Sequence, residues 1–475
     1  MRPLEICLAV LTICTAVCIA TGRVRQIDRL LMMACIAVAG AQIGFEGARW
    51  QMSPAYLAVS AIGIVAFKFG KWRTGVKIVA ISSTVMLAAA GILFSIVLPV
   101  FHLPRPTGPY PVGTTTLYFK DSSRADDAAP VPGTPRELVV QLWYPAEVSS
   151  NRLARYREPR ETRGISAYQN LISTNSHLDA LPASAGSPFP VILFSPGWKS
   201  RRTIDTFLTE ELASNGYIVA SIDHTYNSRR VAFPDGRVAI GVAQDDVAFP
   251  EISTAERVRE IWDKELLKWV ADQRFVLDQL EIMNDSRGTP WWGKLNTHLA
   301  GAIGHSFGGA AAVKLCAADS RTTAAIDMDG WLFGAIGGRG PNKQVLVMYT
   351  SESGPESGPD GTVARVLNAA DSVETKDSLS KFGGYVLVVN GAQHTDFTDQ
   401  PLVSPLKRIS YRGSVPVREM QQIVRTYVVA FFNKTLRGID SEILNASSSP
   451  YPVVSLKYWP AATGAARTPP HGAAQ

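Results

Sequence analysis

Hydrophobic residues fill most of the first hundred positions of the chain and recur only in short runs after that. Four apolar stretches lie there, at about residues 4–21, 30–45, 54–69 and 78–101. The fourth has about two dozen residues without a charge, enough to cross a hydrocarbon core that needs roughly 20. The second and third are shorter and also fit a re-entrant or buried hairpin, and the first also fits a signal peptide. One anchor of several spans accounts for all four, so we predict an all-α transmembrane module of about four helices at residues 1–101.

Basic residues are concentrated in this predicted module. It holds nine of the 47 basic residues and only three of the 41 acidic ones, which leaves 38 of each for the rest of the chain. The formal net charge of +6 therefore belongs to the module. A charge excess of this kind differs from the basic surface of a nucleic-acid-binding domain. We expect no nucleic-acid partner and, instead, a lipid bilayer.

The basic residues also predict an orientation, because cytoplasmic loops are enriched in Lys and Arg. The first and third loops carry seven of them, whereas the second loop carries only Arg49. The seven are Arg23, Arg25, Arg29, Lys68, Lys71, Arg73 and Lys77. We therefore expect an integral protein of a bacterial inner membrane, with the large C-terminal domain on the periplasmic side. The proline-rich run 102–111 predicts a stiff linker that leaves the membrane.

From about residue 112 the pattern changes to short strands that alternate with helices, which is typical of a mostly parallel sheet covered on both faces. Predicted strands are residues 138–144, 191–194, 217–222, 299–303, 324–328, 345–349 and 385–389. Predicted helices are residues 202–214, 254–283, 307–317 and 416–435. We assign residues 112–440 to this domain and 441–475 to a C-terminal extension. The end of the extension is rich in Ala, Pro and Gly, so we expect it to be disordered.

One serine stands where a predicted strand turns into a predicted helix. Ser306 is the centre of Gly-His-Ser-Phe-Gly at 304–308, after the apolar strand 299–303 and before an alanine-rich run. The motif alone has little specificity, but G-x-S-x-G between a strand and a helix is the nucleophile elbow of the α/β-hydrolase fold. The N-terminus of the helix also favours a developing negative charge. We therefore predict that fold, with Ser306 as the nucleophile of an ester hydrolase.

A serine nucleophile needs a histidine base, and in this fold the order along the chain is serine, acid, histidine. Two histidines follow Ser306. His471 lies in the low-complexity tail, whereas His394 follows the predicted strand 385–389 in a loop at the carboxyl edge of the sheet. We therefore predict His394 as the base. His305, inside the motif, is expected to pack against its surroundings or to form a hydrogen bond.

The acid of the triad has three candidates. Asp327 and Asp329 end the strand after the nucleophile helix, and Glu352 ends the next strand. Many proteins of this fold carry the acid at the later position. Asp329 stands directly before Gly330, where the strand must turn, which favours it, while Glu352 and Asp327 stay as alternatives.

The developing oxyanion needs two backbone N–H donors, one from the residue after the serine and one from the loop after an early strand. Phe307 supplies the first. For the second we predict Trp198, because Gly197 lets the chain turn there and Pro196 has no N–H. Such a site requires no metal and no organic cofactor. Cys316 is the only cysteine after the membrane module, so that domain cannot form an internal disulfide.

Six short motifs follow one another along the chain. They are Leu-Trp-Tyr-Pro at 142–145, Phe-Ser-Pro-Gly-Trp at 194–198, Ala-Ser-Asn-Gly-Tyr-Ile-Val-Ala at 213–220, Gly-His-Ser-Phe-Gly-Gly at 304–309, Asp-Gly-Trp at 329–331, and His394 before Phe397. In this order they resemble one known family, the platelet-activating-factor acetylhydrolases, which are calcium-independent serine phospholipases A2. The resemblance spans about residues 110–435. It implies Ser306, Asp329 and His394 as the triad, with Phe307 and Trp198 as the oxyanion donors. It is the main reason for placing Asp329 ahead of Glu352.

Two features depart from the family pattern. Pro196 stands where the family commonly has histidine, and the animal enzymes have no membrane module of this kind. The resemblance implies that a membrane-anchored enzyme releases a short or truncated sn-2 acyl group from a phospholipid. A general carboxylesterase, similar to dienelactone hydrolases or polyester-cleaving enzymes, is the alternative. A non-catalytic membrane receptor or assembly protein with this fold is the alternative from another class, and the intact Ser306 and His394 argue against it.

Overall fold

A computed structural model describes nine stretches of the chain. They are residues 2–21, 25–68, 74–147, 152–241, 254–333, 343–351, 362–403, 413–446 and 448–462. These residues form two compact units. The first contains the N-terminal helices, up to residue 102, together with two short excursions of the later chain, 162–172 and 401–403. The second contains the rest.

The N-terminal unit is built from four helices, which confirms that the predicted apolar stretches are helical. They are α1 (Pro3–Thr21), α2 (Arg25–Ala41), α3 (Ser53–Lys68) and α4 (Thr74–Val97). One turn of π-helix, Gln42–Glu46, extends α2. Among the described residues, three stretches are long and apolar enough to cross a membrane, and they are Pro3–Thr21, Arg29–Glu46 and Thr74–Val97. The 16 residues of α3 fall short of that length.

Two apolar clusters join these helices. One contains Leu8, Cys35 and Ala55, and the other contains Ala16, Met32 and Ile62. Gly91 of α4 approaches α3 so closely that a Cβ there would lie 2.8 Å from the Cβ of Ala55. Small residues at such crossings let helices pack closely in a membrane.

A buried ion pair closes one end of the N-terminal unit. Arg49, between α2 and α3, donates from Nε to Glu5 of α1 over 2.6 Å, and both side chains are almost wholly buried. Arg49 also reaches the carbonyl oxygen of Leu98, directly after α4, at 3.4 Å, and Gln51 donates to the same oxygen at 3.2 Å. The start of α1, the α2–α3 connection and the end of α4 therefore share one end, so successive helices run in opposite directions.

The second unit contains an eleven-stranded sheet with a parallel centre. The strands of the unit are β1 (Val112–Ala125), β2 (Pro135–Pro145), β3 (Leu153–Arg155), β4 (Ser173–Leu178), β5 (Phe189–Ser195), β6 (Ile218–Asp223), β7 (Arg230–Ala232), β8 (Val238–Ile240), β9 (Leu295–His305), β10 (Thr322–Met328), β11 (Gln344–Thr350), β12 (Gly384–Val389) and β13 (Val454–Trp459). The order in the sheet is β13-β12-β11-β10-β9-β5-β6-β2-β1-β4-β3, and β7 and β8 form a separate hairpin. The six strands from β12 to β6 are parallel, and β13 and β2 flank them antiparallel. All seven predicted strands lie in this sheet.

Five longer helices cover the sheet. They are α5 (Thr206–Ser214), α6 (Ala255–Asp285), α7 (Phe307–Ala318), α8 (Val363–Phe382) and α9 (Val417–Arg437). Residues of α6, α7 and α8 share core clusters on one face. On the other face, Gly301 of β9 packs against α9, where a Cβ would lie 2.6 Å from the ring of Phe432. The sequence did not predict α8, because Val366 and Val373 are exposed and its apolar residues do not mark one face.

The predicted linker is fastened to α5. The N–H groups of Thr107 and Gly108 donate to the side chains of Glu211 and Ser214, each at 3.1 Å. The N–H of Tyr110 donates to the carbonyl oxygen of Ser214 at 3.0 Å. The proline-rich run is thus bonded along its length to the sheet domain, more closely than a spacer requires.

Strand β13 comes from the predicted C-terminal extension. It pairs antiparallel with β12, from Val454 opposite Val389 to Trp459 opposite Gly384. It therefore covers the edge of the strand that leads to His394. Residues 463–475, which include the tail expected to be disordered, lie outside the described residues.

A chain that ends at residue 440 should be less stable than one that ends at residue 462, because loss of β13 exposes the hydrogen-bonding edge of β12. We expect a lower midpoint of thermal unfolding and more aggregate in size-exclusion chromatography. Identical behaviour of the two truncated chains would show that β13 is dispensable to the domain.

Candidate active site

The turn that carries Ser306 has an unusual backbone conformation. Ser306 stands between β9 and α7 with a φ of 56°, a left-handed value that is uncommon outside glycine. Its N–H donates to the carbonyl oxygen of Met328 at 2.9 Å, so β10 supports the turn. A Cβ at Gly304 would collide with the backbone of Gly308, and a Cβ at Gly308 would collide with the carbonyl oxygen of Ser195. The glycines of the motif are therefore required by two close backbone approaches.

Asp329 and His394 are hydrogen-bonded to each other beside this turn. His394 Nδ1 lies 2.7 Å from Asp329 Oδ2, and Asp329 Oδ1 accepts the N–H of Thr350 at 2.9 Å. The aspartate side chain is 1% exposed, whereas the histidine side chain is 46% exposed. Because an ionised carboxylate only accepts hydrogen bonds, Nδ1 of His394 carries the proton of this bond. Nε2 is then the nitrogen that can accept a second proton.

The other two candidate acids have different positions. Asp327 is fully buried beneath the turn, where its Oδ1 accepts the N–H of Gly330 at 3.1 Å and packs against Gly309. Burial, and secondly the charge of Asp371, raises the pKa of Asp327 well above its ordinary value. Asp327 therefore supports the nucleophile turn from beneath. Glu352 lies outside the described residues.

His305 supports the loop of His394. Its Nε2 donates to the backbone carbonyl oxygen of His394 at 2.8 Å, and the two ring centroids are 4.5 Å apart. Burial lowers the pKa of His305 to about 3, and the neighbouring His394 adds to the shift. His305 is therefore neutral, with its proton on Nε2, and forms a hydrogen bond as the sequence suggested.

The loop after β5 passes beside the nucleophile. A Cβ at Gly197 would lie 3.2 Å from the Cβ of Ser306, a very tight contact. The indole of Trp198 packs edge-on against the ring of Phe307, with the centroids 5.4 Å apart. Phe307 begins α7, and the first N–H groups of a helix have no partner within it. The two residues predicted to supply oxyanion donors are thus neighbours.

A cavity of about 450 Å³ brings the predicted side chains together, since Ser306, Asp329 and His394 all line it. The rest of its wall is mainly aromatic and consists of Trp198, Trp262, Phe307, Gly330, Trp331, Phe333, Tyr349, Thr350, Asn368 and Gln393. The volume is within the range of small-molecule sites. Trp262, on α6, is 5% exposed and belongs to the core, and it also borders the cavity.

A family comparison agrees with the fold and the cavity. Residues 96–447 match the family model of platelet-activating factor acetylhydrolase, isoform II. With its parallel sheet and its serine on a strand–turn–helix motif, the chain is a serine ester hydrolase of the α/β-hydrolase class, as the sequence predicted. Within that class, the chain belongs to the platelet-activating factor acetylhydrolase isoform II family.

Individual relatives are esterases. The probable 1-alkyl-2-acetylglycerophosphocholine esterase of Arthroderma benhamiae is 24% identical over 395 residues, which are 74% of this chain and 93% of that one. The platelet-activating factor acetylhydrolase of Cavia porcellus is 28% identical over 262 residues, which are 49% of this chain and 56% of that one. Among solved structures, a ferulic acid esterase from Streptomyces cinnamoneus matches with a TM-score of 0.61 and 30% identity, over 75% of this chain and 99% of that one.

Gly308→Ala should remove most hydrolytic activity, because the new Cβ forces the nucleophile turn away from Ser195. A displacement of about 1 Å can cost roughly 10²-fold in rate, so we expect the initial rate on 4-nitrophenyl acetate to fall by about that factor. The matched control is Gly75→Ala in α4, where a Cβ meets no atom within 4 Å. A folded Gly308→Ala protein with normal activity would contradict the steric requirement.

Proposed function

We propose that Ser306, His394 and Asp329 act as a catalytic triad in acyl transfer from an ester to water. His394 takes the proton of Ser306 on Nε2 as the hydroxyl attacks the ester carbonyl, and then gives it to the leaving alcohol. Water, activated by the same histidine, then releases the acyl group from Ser306. Asp329 orients the imidazole and balances its charge. The proposal is carried by the 2.7 Å hydrogen bond between Asp329 and His394 in the cavity that Ser306 lines.

The backbone N–H groups of Phe307 and Trp198 stabilise the oxyanion in this mechanism. The position of Phe307 at the start of α7 supports the first assignment. The tight approach of Gly197 to Ser306 supports the second, because it brings the loop of Trp198 next to the nucleophile. No metal and no organic cofactor takes part in these steps.

The substrate in this proposal is a short or truncated acyl ester of a glycerophospholipid. Two of the similar proteins are named for acetylated substrates of that kind. The aromatic wall of the cavity favours an apolar acyl group, and a volume of about 450 Å³ favours a short one. Similarity to a ferulic acid esterase supports a second candidate, a general carboxylesterase that takes an aromatic acyl group.

The N-terminal helices, in this proposal, anchor the enzyme in a bacterial inner membrane with the hydrolase domain on the periplasmic side. Three stretches of suitable length support the anchor. The orientation is supported by seven basic residues in the α1–α2 and α3–α4 connections and their flanks. The helix ends that flank those connections, from Thr21 to Arg25 and from Lys68 to Thr74 along the chain, lie opposite the end closed by Arg49 and Glu5, because successive helices alternate in direction.

The detergent-solubilised full-length protein should hydrolyse a 2-acetyl glycerophosphocholine faster than its 2-palmitoyl counterpart. Ser306→Ala should lower turnover on the order of 10⁴-fold or more, because it removes the nucleophile alone. Release of acetate is the measurement, and circular dichroism of the variant checks its fold. Faster cleavage of a feruloyl ester would favour the general carboxylesterase. Failure of a fluorophosphonate probe to label the wild-type protein would instead favour a non-catalytic receptor.

Asp329→Asn should reduce turnover by roughly 10⁴-fold, because an amide leaves the imidazole of His394 wrongly oriented and its charge unbalanced. The matched variants are Asp327→Asn and Glu352→Gln, which replace the alternative acids in the same way. Hydrolysis of 4-nitrophenyl butyrate by the three proteins decides among them. A large loss of turnover in Glu352→Gln, together with nearly wild-type turnover in Asp329→Asn, would assign the role of the acid to Glu352.

Alkaline phosphatase fused after Pro111 should be active, and green fluorescent protein at the same junction should be dark. The reason is that inversion would carry the seven basic residues of the first and third loops across the membrane. Fusions after Lys71, in the third loop, are the control and should give the opposite pattern. Fluorescence after Pro111 together with active phosphatase after Lys71 would place the hydrolase domain in the cytoplasm.

A further inference from the structure

The loop that carries Trp198 is fastened at both ends to two consecutive residues. The loop begins after Ser195, the last residue of β5. The two residues to which it is fastened are Asp223 and His224, at the carboxyl end of the neighbouring parallel strand β6. At the start of the loop, Ser195 Oγ lies 3.1 Å from His224 Nε2. At its far end, Asp223 Oδ1 accepts the N–H of Arg202 at 2.7 Å, and Oδ2 pairs with the guanidinium. Trp198 lies between these two anchors.

A chain of hydrogen bonds with fixed directions runs through His224. Asp272, on α6, accepts from Arg136 Nη2 at 2.6 Å and lies 2.9 Å from His224 Nδ1. A carboxylate only accepts, so Nδ1 carries the proton and Nε2 accepts the hydroxyl of Ser195. Gln273 in turn donates to Ser195 Oγ at 2.7 Å. Each hydrogen bond therefore has one possible direction, and together these bonds fix the side chains of Ser195 and His224.

Ser195, His224 and Asp272 repeat the residue types of a catalytic triad but do not reach the cavity. All three are 0% exposed. Burial lowers the pKa of His224, against the opposing effect of Asp272. Burial by itself would raise the pKa of Asp272, but the charge of Arg136 holds it well below its ordinary value. A neutral histidine that is buried beside an ionised aspartate can orient its neighbours, but it transfers no proton to a substrate.

The anchored end of the loop touches the nucleophile turn. A Cβ at Gly308 would collide with the carbonyl oxygen of Ser195, so the two backbones are in contact. The ring of His224 stacks on Trp269, with centroids 3.8 Å apart, and Trp269 packs edge-on against Phe307 at 4.9 Å. A polar path and an aromatic path thus both connect His224 to the residues around the oxyanion position.

We propose that His224, backed by Asp272, is a positioning residue for the oxyanion hole. It fixes the start of the loop so that the N–H of Trp198 is aimed at the developing oxyanion. The inference rests on the proposed function, in which Trp198 and Phe307 donate to that oxygen. A displaced donor weakens binding of the transition state more than binding of the substrate. Loss of the hydrogen bond between Ser195 and His224 should therefore lower kcat and leave KM nearly unchanged.

The test compares Ser195→Ala, His224→Gln and the double variant in the full-length protein, with 4-nitrophenyl butyrate as substrate. We expect each variant to lower kcat by roughly 10- to 100-fold, which is less than the 10²–10³-fold effect of removing a donor outright. The double variant should be no worse than the poorer single variant, because both changes break the same hydrogen bond. The pH midpoint of kcat/KM should stay that of the wild type, because His224 transfers no proton.

The control is Ser214→Ala, at the C-terminal end of α5, because the hydrogen bonds of Ser214 involve no residue of the loop. Ser214 is also fully buried, and its Oγ donates to the carbonyl oxygen of Glu211 at 2.8 Å and accepts the N–H of Gly108 at 3.1 Å. It should lose stability as Ser195→Ala does and keep the kcat of the wild type. If His224→Gln does not fold, Ser195→Ala decides, since it removes one hydroxyl.

A folded Ser195→Ala protein with normal kcat would overturn the inference, as would a loss of kcat no larger than that of Ser214→Ala. Additive effects in the double variant would also overturn it. These outcomes are distinct from failure of the proposed function. An active Ser306→Ala protein would refute the triad itself, whereas an inactive Ser306→Ala beside a fully active Ser195→Ala refutes only the role of His224.

Discussion

Contact between two backbones, at Gly308 and Ser195, sets the geometry on which the rest of the site depends. A side chain at Gly308 would separate the nucleophile turn from the loop after β5. Strands β5 and β9 are neighbours in the sheet, with Ser195 opposite Gly304, so the contact follows from their register. The parallel centre of the sheet thus brings Ser306 and the loop that carries Trp198 to one edge.

Much of this site could be predicted because its chemistry is local in the sequence. The turn that carries Ser306 is marked by glycines between a strand and a helix, and the proposed base, His394, is marked by the small number of histidines after Ser306. The alternation of strands and helices predicted the mostly parallel sheet, and it placed the loop of His394 at the carboxyl edge of that sheet.

The features that could not be predicted depend on contacts between distant residues. Asp327 and Asp329 differ only in that β10 ends between them, at Met328, and Asp329 then takes a φ of 60°. Gly330 predicts a turn nearby, which favoured Asp329, but it does not by itself exclude Asp327. His224 and Asp272 are separated by 48 residues and meet only in the fold. Strand β13 gave no clear signal because it is an exposed edge strand in which one residue alone, Val454, is buried.

The ion pair between Glu5 and Arg49 has a consequence for maturation of the chain. A signal peptidase that removed α1 would also remove the only carboxylate to which Arg49 Nε donates among the described residues. A buried charge deprived of its partner typically costs about 3–5 kcal/mol. Loss of α1 would therefore destabilise the packing of α2, α3 and α4, so the first helix is part of the folded N-terminal unit and not a segment that this unit can lose without cost.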